Sequence, residues 1–430
     1  MQYKMKDSGV EWIGNIPQHW KKCRLKSVLR ILRGSSPRPI EEYLTDSGDG
    51  INWIKIGDTD KGQKSISQTK QKIKPSGVAK SRLVRKGDLL LTNSMSFGEP
   101  YFLEIDGCIH DGWVCFTNLT NINKLFLYYF LCSEFCRIQF QLQVAGGVVQ
   151  NLNIDKIGET ILYLPLAKEQ SAIADYLDEK CGAIDEIIEQ AKATIEEYKA
   201  WKSSVIFEAV TKGLDPNVEM KDSGVEWIGQ VPKHWKVAPL KRVSHIQTGN
   251  TPSKQSQENF YSDDDGIPWI KADNLGAFNS IEKTSEYLTA NGAEAARLNP
   301  ENTVYVCCIG TIGKTGFSTK KCACNQQINA VSFNDLIFWK FGFYSILAQE
   351  VQHWFYANGN VLKILNTENQ KNIQITIPPM KEQWSIVDFL DEKCVAIDGI
   401  IAEKEALIAD MEAYKKSLIF ESVTGKRKVC

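Results

Sequence analysis

Two stretches of this chain carry the same pattern of apolar positions. In the first, Leu177, Ile184, Ala191, Tyr198 and Val205 recur seven residues apart. Ile187 and Trp201 supply a second seam position, flanked by Cys181, Ile188 and Ile195. In the second, Leu390, Ile397, Met411 and Leu418 keep the spacing, with Ile400, Ile401, Leu407 and Tyr414 beside them and Lys404 interrupting. Such spacing predicts a helix with one apolar stripe, which needs a partner helix to cover it. Pro165 and Pro378-Pro379 favour an extended entry before each helix, and Gly213 and Gly425 supply stops. Leu177, Ile184, Ile188, Tyr198, Leu390, Ile397, Ile401 and Met411 are the expected helix-pairing positions. Two similar stripes in one chain most simply bury each other as an antiparallel coiled coil. The alternative is that each pairs with an outside helix.

Between the stripes the pattern changes. Short apolar runs bounded by turn residues predict strands at Ile51–Gly57, Gly87–Thr92, Ile267–Lys271 and Thr303–Cys307. Residues 124–142 and 336–355 read as helices. These segments are therefore mixed α/β.

The pattern is duplicated in letters as well as in period. Residues 5–28 (MKDSGVEWIGNIPQHWKKCRLKSV) and 220–243 (MKDSGVEWIGQVPKHWKVAPLKRV) share 17 of 24 positions. KEQSAIADYLDEKCGAIDEII from Lys168 answers KEQWSIVDFLDEKCVAIDGII from Lys381. The chain thus reads as a tandem repeat. The expected domains are a first reader over 1–165, a central spacer helix over 166–214, a second reader over 215–378, and a distal helix with a basic tail over 379–430. Between their shared ends the readers diverge, though Trp53-Ile-Lys and Trp269-Ile-Lys, or Gly34-Ser-Ser-Pro and Gly249-Asn-Thr-Pro, still correspond. A common scaffold bearing two different surfaces is the expectation.

A length of 430 residues requires more than one core. No apolar run approaches the roughly 18 residues of a membrane helix, and the first residues do not read as a signal peptide. The 12 cysteines lack framework spacing, as expected for reduced thiols in a cytoplasm. The net charge of −1 hides an uneven spread: +6 over residues 1–167, −4 over 168–213, −1 over 214–378 and −5 over 379–424. The first reader therefore favours a polyanion more than the second does.

Catalytic patterns are missing. Cys308–Thr315 reads Cys-Ile-Gly-Thr-Ile-Gly-Lys-Thr, close to a phosphate-binding loop. Its first glycine is replaced by Cys308 and no apolar-periodic helix follows, so a turn between strands is expected. Cys307, Cys308, Cys322 and Cys324 lack zinc-ribbon spacing. No Asn/Asp-Pro-Pro-Tyr loop for base methylation and no serine-hydrolase elbow is visible. What remains suits recognition. Residues 61–86 carry Lys61, Lys64, Lys70, Lys72, Lys74, Lys80, Arg82, Arg85 and Lys86. Ser35, Ser36, Arg38, Asn93, Ser94, Ser96, Asn325, Gln326 and Gln327 lie on loop-like stretches and carry groups that read base edges. Lys254, Thr311 and Lys314 complete the set of candidate DNA-binding residues. Trp12, Trp20, Trp227 and Trp235 recur identically and are expected to pack rather than to discriminate.

The ordered set of motifs resembles a known family. Glu11–Trp20 and Glu226–Trp235, Gly249-Asn-Thr-Pro-Ser, Ile267-Pro-Trp-Ile-Lys, Gly310-Thr-Ile-Gly and Asn325-Gln-Gln-Ile-Asn-Ala resemble target-recognition domains of type I restriction enzyme specificity subunits. Lys168-Glu-Gln and Lys381-Glu-Gln, each leading to Leu-Asp-Glu-Lys, are similar to that family's spacer helices. The first reader departs from the pattern, with Ser94-Met-Ser-Phe-Gly-Glu for the Gly-Thr-Ile-Gly-Lys stretch and His110-Asp-Gly for the Gln-Gln-Ile patch. The resemblance implies a non-catalytic subunit in which each reader contacts one part of a bipartite, asymmetric site in double-stranded DNA. It implies as partners two modification subunits using S-adenosylmethionine and restriction subunits using ATP and magnesium, with no cofactor in this chain. Competing readings are a coiled-coil protein-binding scaffold and a stand-alone DNA methylase or nuclease.

Overall fold

The computed structural model describes residues 4–60, 62–94, 97–144, 152–253, 260–262, 266–276, 280–359 and 362–429. The chain divides into two compact units: residues 1–192 with 405–430, and residues 193–404. Each unit therefore combines one reader with half of each long helix.

In the first unit one sheet is ordered β1 (Arg30–Arg33), β10 (Trp113–Thr117), β7 (Leu89–Thr92), β8 (Pro100–Leu103), β4 (Ser65–Ile66). A second is ordered β2 (Leu44–Thr45), β5 (Gln71–Ile73), β3 (Ile51–Ile54), β9 (Gly107–Ile109), β6 (Arg82–Val84). All four residues of β7 are buried, which is why its sequence is a continuous apolar run rather than an alternation. Helices α1 (Lys124–Cys132) and α2 (Glu134–Val144) pack on this core. The expected single helix breaks at Ser133, whose hydroxyl donates to the Phe130 carbonyl and accepts from the Cys136 amide.

The second unit repeats the design. One sheet is ordered β11 (Ser244–Thr248), β18 (Ile328–Phe333), β15 (Thr303–Cys307), β16 (Thr315–Ser318). The other is ordered β12 (Tyr261–Ser262), β14 (Tyr287–Leu288), β13 (Ile267–Ile270), β17 (Ala323–Cys324). The parallel pairing of β3 with β9, Ile54 opposite Ile109, recurs as β13 with β17, Ile270 opposite Cys324. Helices α4 (Trp339–Leu347) and α5 (Glu350–Tyr356) take the places of α1 and α2.

The two long helices are α3 (Ala167–Lys212) and α6 (Met380–Val423). They pair antiparallel, and the pairing is visible inside each unit. In the first, Cys181, Ile184 and Ile188 share a core with Leu418, Ile419 and half-buried Ile408 and Met411. In the second, Ile206, Ala209 and Val210 share one with Leu390 and Cys394. Equivalent ion pairs accompany them: Lys415 to Asp185 and Lys202 to Asp398, each with a nearest N–O distance of 2.6 Å.

The expected seam needs a correction. Leu177, Ile184, Leu390 and Ile397 are buried as the heptad predicts, and Tyr198, Ile401 and Met411 are half-buried. Ile187, Trp201 and Tyr414, however, are exposed. The second buried row is Cys181, Ile188, Ile195 and Lys202, four rather than three residues beyond the first. Each helix half also faces its reader, so the covered stripe is wider than a coiled-coil seam and shifted towards that contact.

The repeated motifs dock reader onto helix. His19 Nε2 lies 2.9 Å from both carboxylate oxygens of Glu169. His234 meets Glu382 at 2.8 Å, and Trp235 Nε1 donates to the same carboxylate. Gln170 accepts from the Asn123 amide and donates to the Asn121 and Pro165 carbonyls; Gln383 does the same with Phe338, Leu336 and Pro378. Tyr129 donates to Asp178 and Tyr344 to Asp391. The identical letters of the repeat are thus largely scaffold, and Trp20 and Trp235 are buried.

Candidate nucleic-acid interface

Some polar residues that differ between the readers meet at an equivalent place in each. In the first, an open cleft of about 740 Å3 is lined by Ser36, Arg38, Trp53, Lys55, Gln71, His110 and Asp111, among others. It forms where the loop after β1 crosses the ends of β3 and β9. Gly34 permits the crossing, since a Cβ there would sit 2.0 Å from the His110 carbonyl oxygen. Gly249 makes the same approach in the second reader, with a Cβ 2.1 Å from the Cys324 oxygen. Both positions need glycine because backbone lies against backbone.

Around this crossing the readers use equivalent positions with different chemistry. Ser36 Oγ donates to Asp111 Oδ1 at 2.7 Å, while Thr251 Oγ1 donates to Gln326 Oε1. Arg38 adds an ion pair with Asp111 at 3.5 Å and is otherwise largely solvated. His110 stands where the second reader has Asn325, as their amides bond to Ile54 and Ile270. Burial holds the His110 imidazole below its ordinary pKa, and the Ser36 hydroxyl holds the Asp111 carboxyl below its own. The cleft therefore presents a neutral imidazole beside an ionised carboxylate.

A second equivalence lies on the strands beneath. Lys55 follows the buried Trp53 by two residues, and its Nζ donates to Gln71 Oε1 at 2.8 Å. Lys271 follows Trp269 in the same way and its Nζ contacts Glu286. Asp58 and Asn274 each accept the lysine's backbone N–H, at 2.8 and 2.9 Å, so both corners have the same backbone form.

The candidate residues are placed unevenly. Ser35 is exposed, with its hydroxyl donating to the Lys80 carbonyl. Ser36 and Arg38 line the cleft. Lys72 is half-buried on β5, and Lys74 is exposed beyond it, its Nζ donating to the Glu42 carbonyl. Asn93 is 2% exposed and its Nδ2 donates to the Asp111 carbonyl, so it braces the cleft floor rather than facing solvent. Ser94 is half-buried. Gln326 and Gln327 are exposed, the latter accepting from Asn325 Nδ2. Thr311 and Lys314 lie on the hairpin between β15 and β16, where Lys314 Nζ donates to the carbonyl of Ala272, next to Lys271. Ser96 and Lys254 fall outside the described residues. The basic run is partly occupied internally: Lys64 pairs with Asp178 and Arg85 with Asp106.

Lys55, Gln71, His110, Lys271 and Glu286 were not singled out from sequence as site residues. The signal was there in the repeat, since Trp-Ile-Lys recurs. Its partners, on β5 and immediately before β14, emerge only once strand register is known.

Val306 pairs with Thr315 across the Cys308–Lys314 turn, and the chain continues as a strand, so no helix N-terminus opens behind it. Cys307, Cys308, Cys322 and Cys324 are buried, and burial raises the Cys308 thiol to about 12. Among the described residues no three His, Cys, Asp or Glu side chains are grouped to hold a metal ion, and no helix is long and apolar enough to cross a membrane.

A family described as "Type I restriction modification DNA specificity domain" matches residues 17–197 and 232–406. The specificity subunit of type I restriction enzyme MjaVIII from Methanocaldococcus jannaschii is 24% identical over 100% of this chain and 98% of its own. That of HindI from Haemophilus influenzae is 32% identical over 39% of this chain and 36% of its own. A solved chain from work on complex assembly and conformational transition of the type I R-M system superposes with a TM-score of 0.74 at 15% identity. That superposition covers 96% of this chain and 99% of the other, a likeness of fold.

Proposed function

The chain belongs to the type I restriction modification DNA specificity domain family, and from that premise we propose that its two readers each recognise one part of a split, asymmetric DNA site. One observation carries the reading. Four strands of each five-stranded sheet in the first unit recur in the same order in the second, and at and beneath the glycine-pinned crossing the paired positions differ: Asp111 against Gln326, His110 against Asn325, Gln71 against Glu286. Identical scaffold residues cannot tell two half-sites apart, whereas these positions can.

In this reading the chain supplies specificity and its partners supply chemistry. Two modification subunits with bound S-adenosylmethionine methylate adenine at the site. Restriction subunits use ATP and magnesium to translocate and cleave unmethylated DNA. The long helices set the number of unread base pairs between the two parts. The complex works in the cytoplasm, in keeping with cysteines that are all free thiols among the described residues.

The test is to exchange residues 30–160 for those of another specificity subunit and map methylated adenines by single-molecule sequencing. One half of the motif changes if the readers act separately. Changes in both halves contradict the proposal.

A further inference from the structure

We propose that Lys55 with Gln71, and Lys271 with Glu286, form the same base-reading corner in the two readers, presenting donors alone in the first and a donor beside an acceptor in the second. The inference rests on the proposed DNA recognition and goes further by naming which base each corner accepts.

The construction is the same in both. A buried Trp anchors the strand, the lysine follows, and its ammonium is held by the residue that faces the Trp on the neighbouring strand. Trp53 is registered opposite Gln71, and the Trp269 amide donates to the Glu286 carbonyl. All four polar side-chain carriers are half-buried, neither sealed in a core nor free in solvent. In the first reader the corner borders the cleft that Arg38, His110 and Asp111 also line.

The outward chemistry differs by one group. Gln71 commits its side-chain oxygen to Lys55, and its NH2 has no partner among the described residues. The remaining ammonium hydrogens of Lys55 and this NH2 are all donors. Guanine's major-groove edge offers two acceptors, N7 and O6, and fits a donor-only corner. Glu286 holds Lys271 with one carboxylate oxygen and keeps the other without a partner among the described residues. That corner offers a donor beside an acceptor, which fits a base carrying an exocyclic amino group: adenine at N7 and N6, or cytosine at N4.

The experiment places Gln71→Glu and Glu286→Gln singly in the full chain within its complete complex. Methylated adenines are mapped in cells, and purified complex selects sites from a randomised duplex library. Gln71→Glu is expected to trade guanine for adenine or cytosine at one position of one half-site, shifting preference on the order of tenfold. Glu286→Gln is expected to do the reverse at one position of the other half. Selection of the parental motif by both variants overturns the proposal, as does failure of a variant with unchanged thermal stability to select any site. If Gln71→Glu does not fold, Gln71→Ala must relax the same single position; an intact motif there overturns the proposal too. The 30–160 exchange separates the two levels. If it moves neither half, separate reading itself fails; if it moves one half while the point variants move nothing, only the corner fails.

Discussion

Lys202, 7% exposed on α3, places its ammonium 2.6 and 2.7 Å from the two carboxylate oxygens of Asp398 on α6. Lys415 and Asp185 repeat the arrangement with the helices exchanged. A lysine in the buried row is costly unless paired, and the pairs exist only if the helices run antiparallel. They thus specify register and direction. Removing one partner strands the other, so Lys202→Ala should lower stability by about 1–2 kcal/mol, discounted because Asp398 is half solvated. Lys202→Met should cost less, because it keeps the side-chain volume in an apolar row. Thermal melts of both variants and of Asp398→Asn check this. Parental stability in Lys202→Ala or in Asp398→Asn would contradict a pairing role.

His353 should make the second unit acid-sensitive. It is 1% exposed, neither ring nitrogen has a hydrogen-bond partner among the described residues, and burial lowers its pKa from 6.5 to about 4. The folded state therefore holds the neutral ring and the unfolded state binds the extra proton. The stabilising contribution is complete above about pH 6.5 and is lost as pH falls from there towards 4. Melting temperature should decline over that window, and His353→Gln should flatten the decline. An unchanged profile in the variant would assign the acid sensitivity to other groups.

The crossing glycines predict a sharp steric effect. Gly34→Ala forces a Cβ into the His110 carbonyl and Gly249→Ala one into Cys324, and backbone can relieve neither cheaply. Each should cost about 1–3 kcal/mol and distort its own crossing. Library selection with the complex should then show weakened readout of one half-site for Gly34→Ala and of the other for Gly249→Ala. Loss of the same half in both variants would be the contrary result.

Lys74 stands exposed at the end of β5, beyond the cleft, and suits a phosphate rather than a base. Lys74→Ala should weaken binding similarly for every duplex and lower the slope of log affinity against log salt by about one. A change confined to one base pair would instead assign it to readout.

Period and identity in the letters disclosed the duplication, the long helices and their mutual pairing, because each depends on spacing along one element. The buried row through Ile188 and Ile195 was misplaced by one position, because a reader covers part of each helix and spacing alone does not say from which side. Within the readers, β3, β7, β13 and β15 stood out as apolar runs. The cleft did not. Lys55 and Gln71, or Ser36 and Asp111, meet only through sheet register and a crossing loop. Asn93 has the composition of a base reader, yet the backbone turns it inward beneath Asp111.

Each long helix ends on the tryptophan that opens a reader. A Cβ on Gly213 would lie 3.1 Å from Trp235, and one on Gly425 would lie 2.3 Å from Pro17 and 3.1 Å from Trp20. Both glycines take positive φ, +77° and +72°, and terminate their helices in the same manner. The second contact is made by residues from opposite extremes of the sequence, yet it reproduces the first, which is made by close neighbours. Covalent order is therefore almost irrelevant to the packing. A gene reopened near residue 215, with the helix ending at Gly425 joined through a short linker to the strand at Met5, would encode the same contacts.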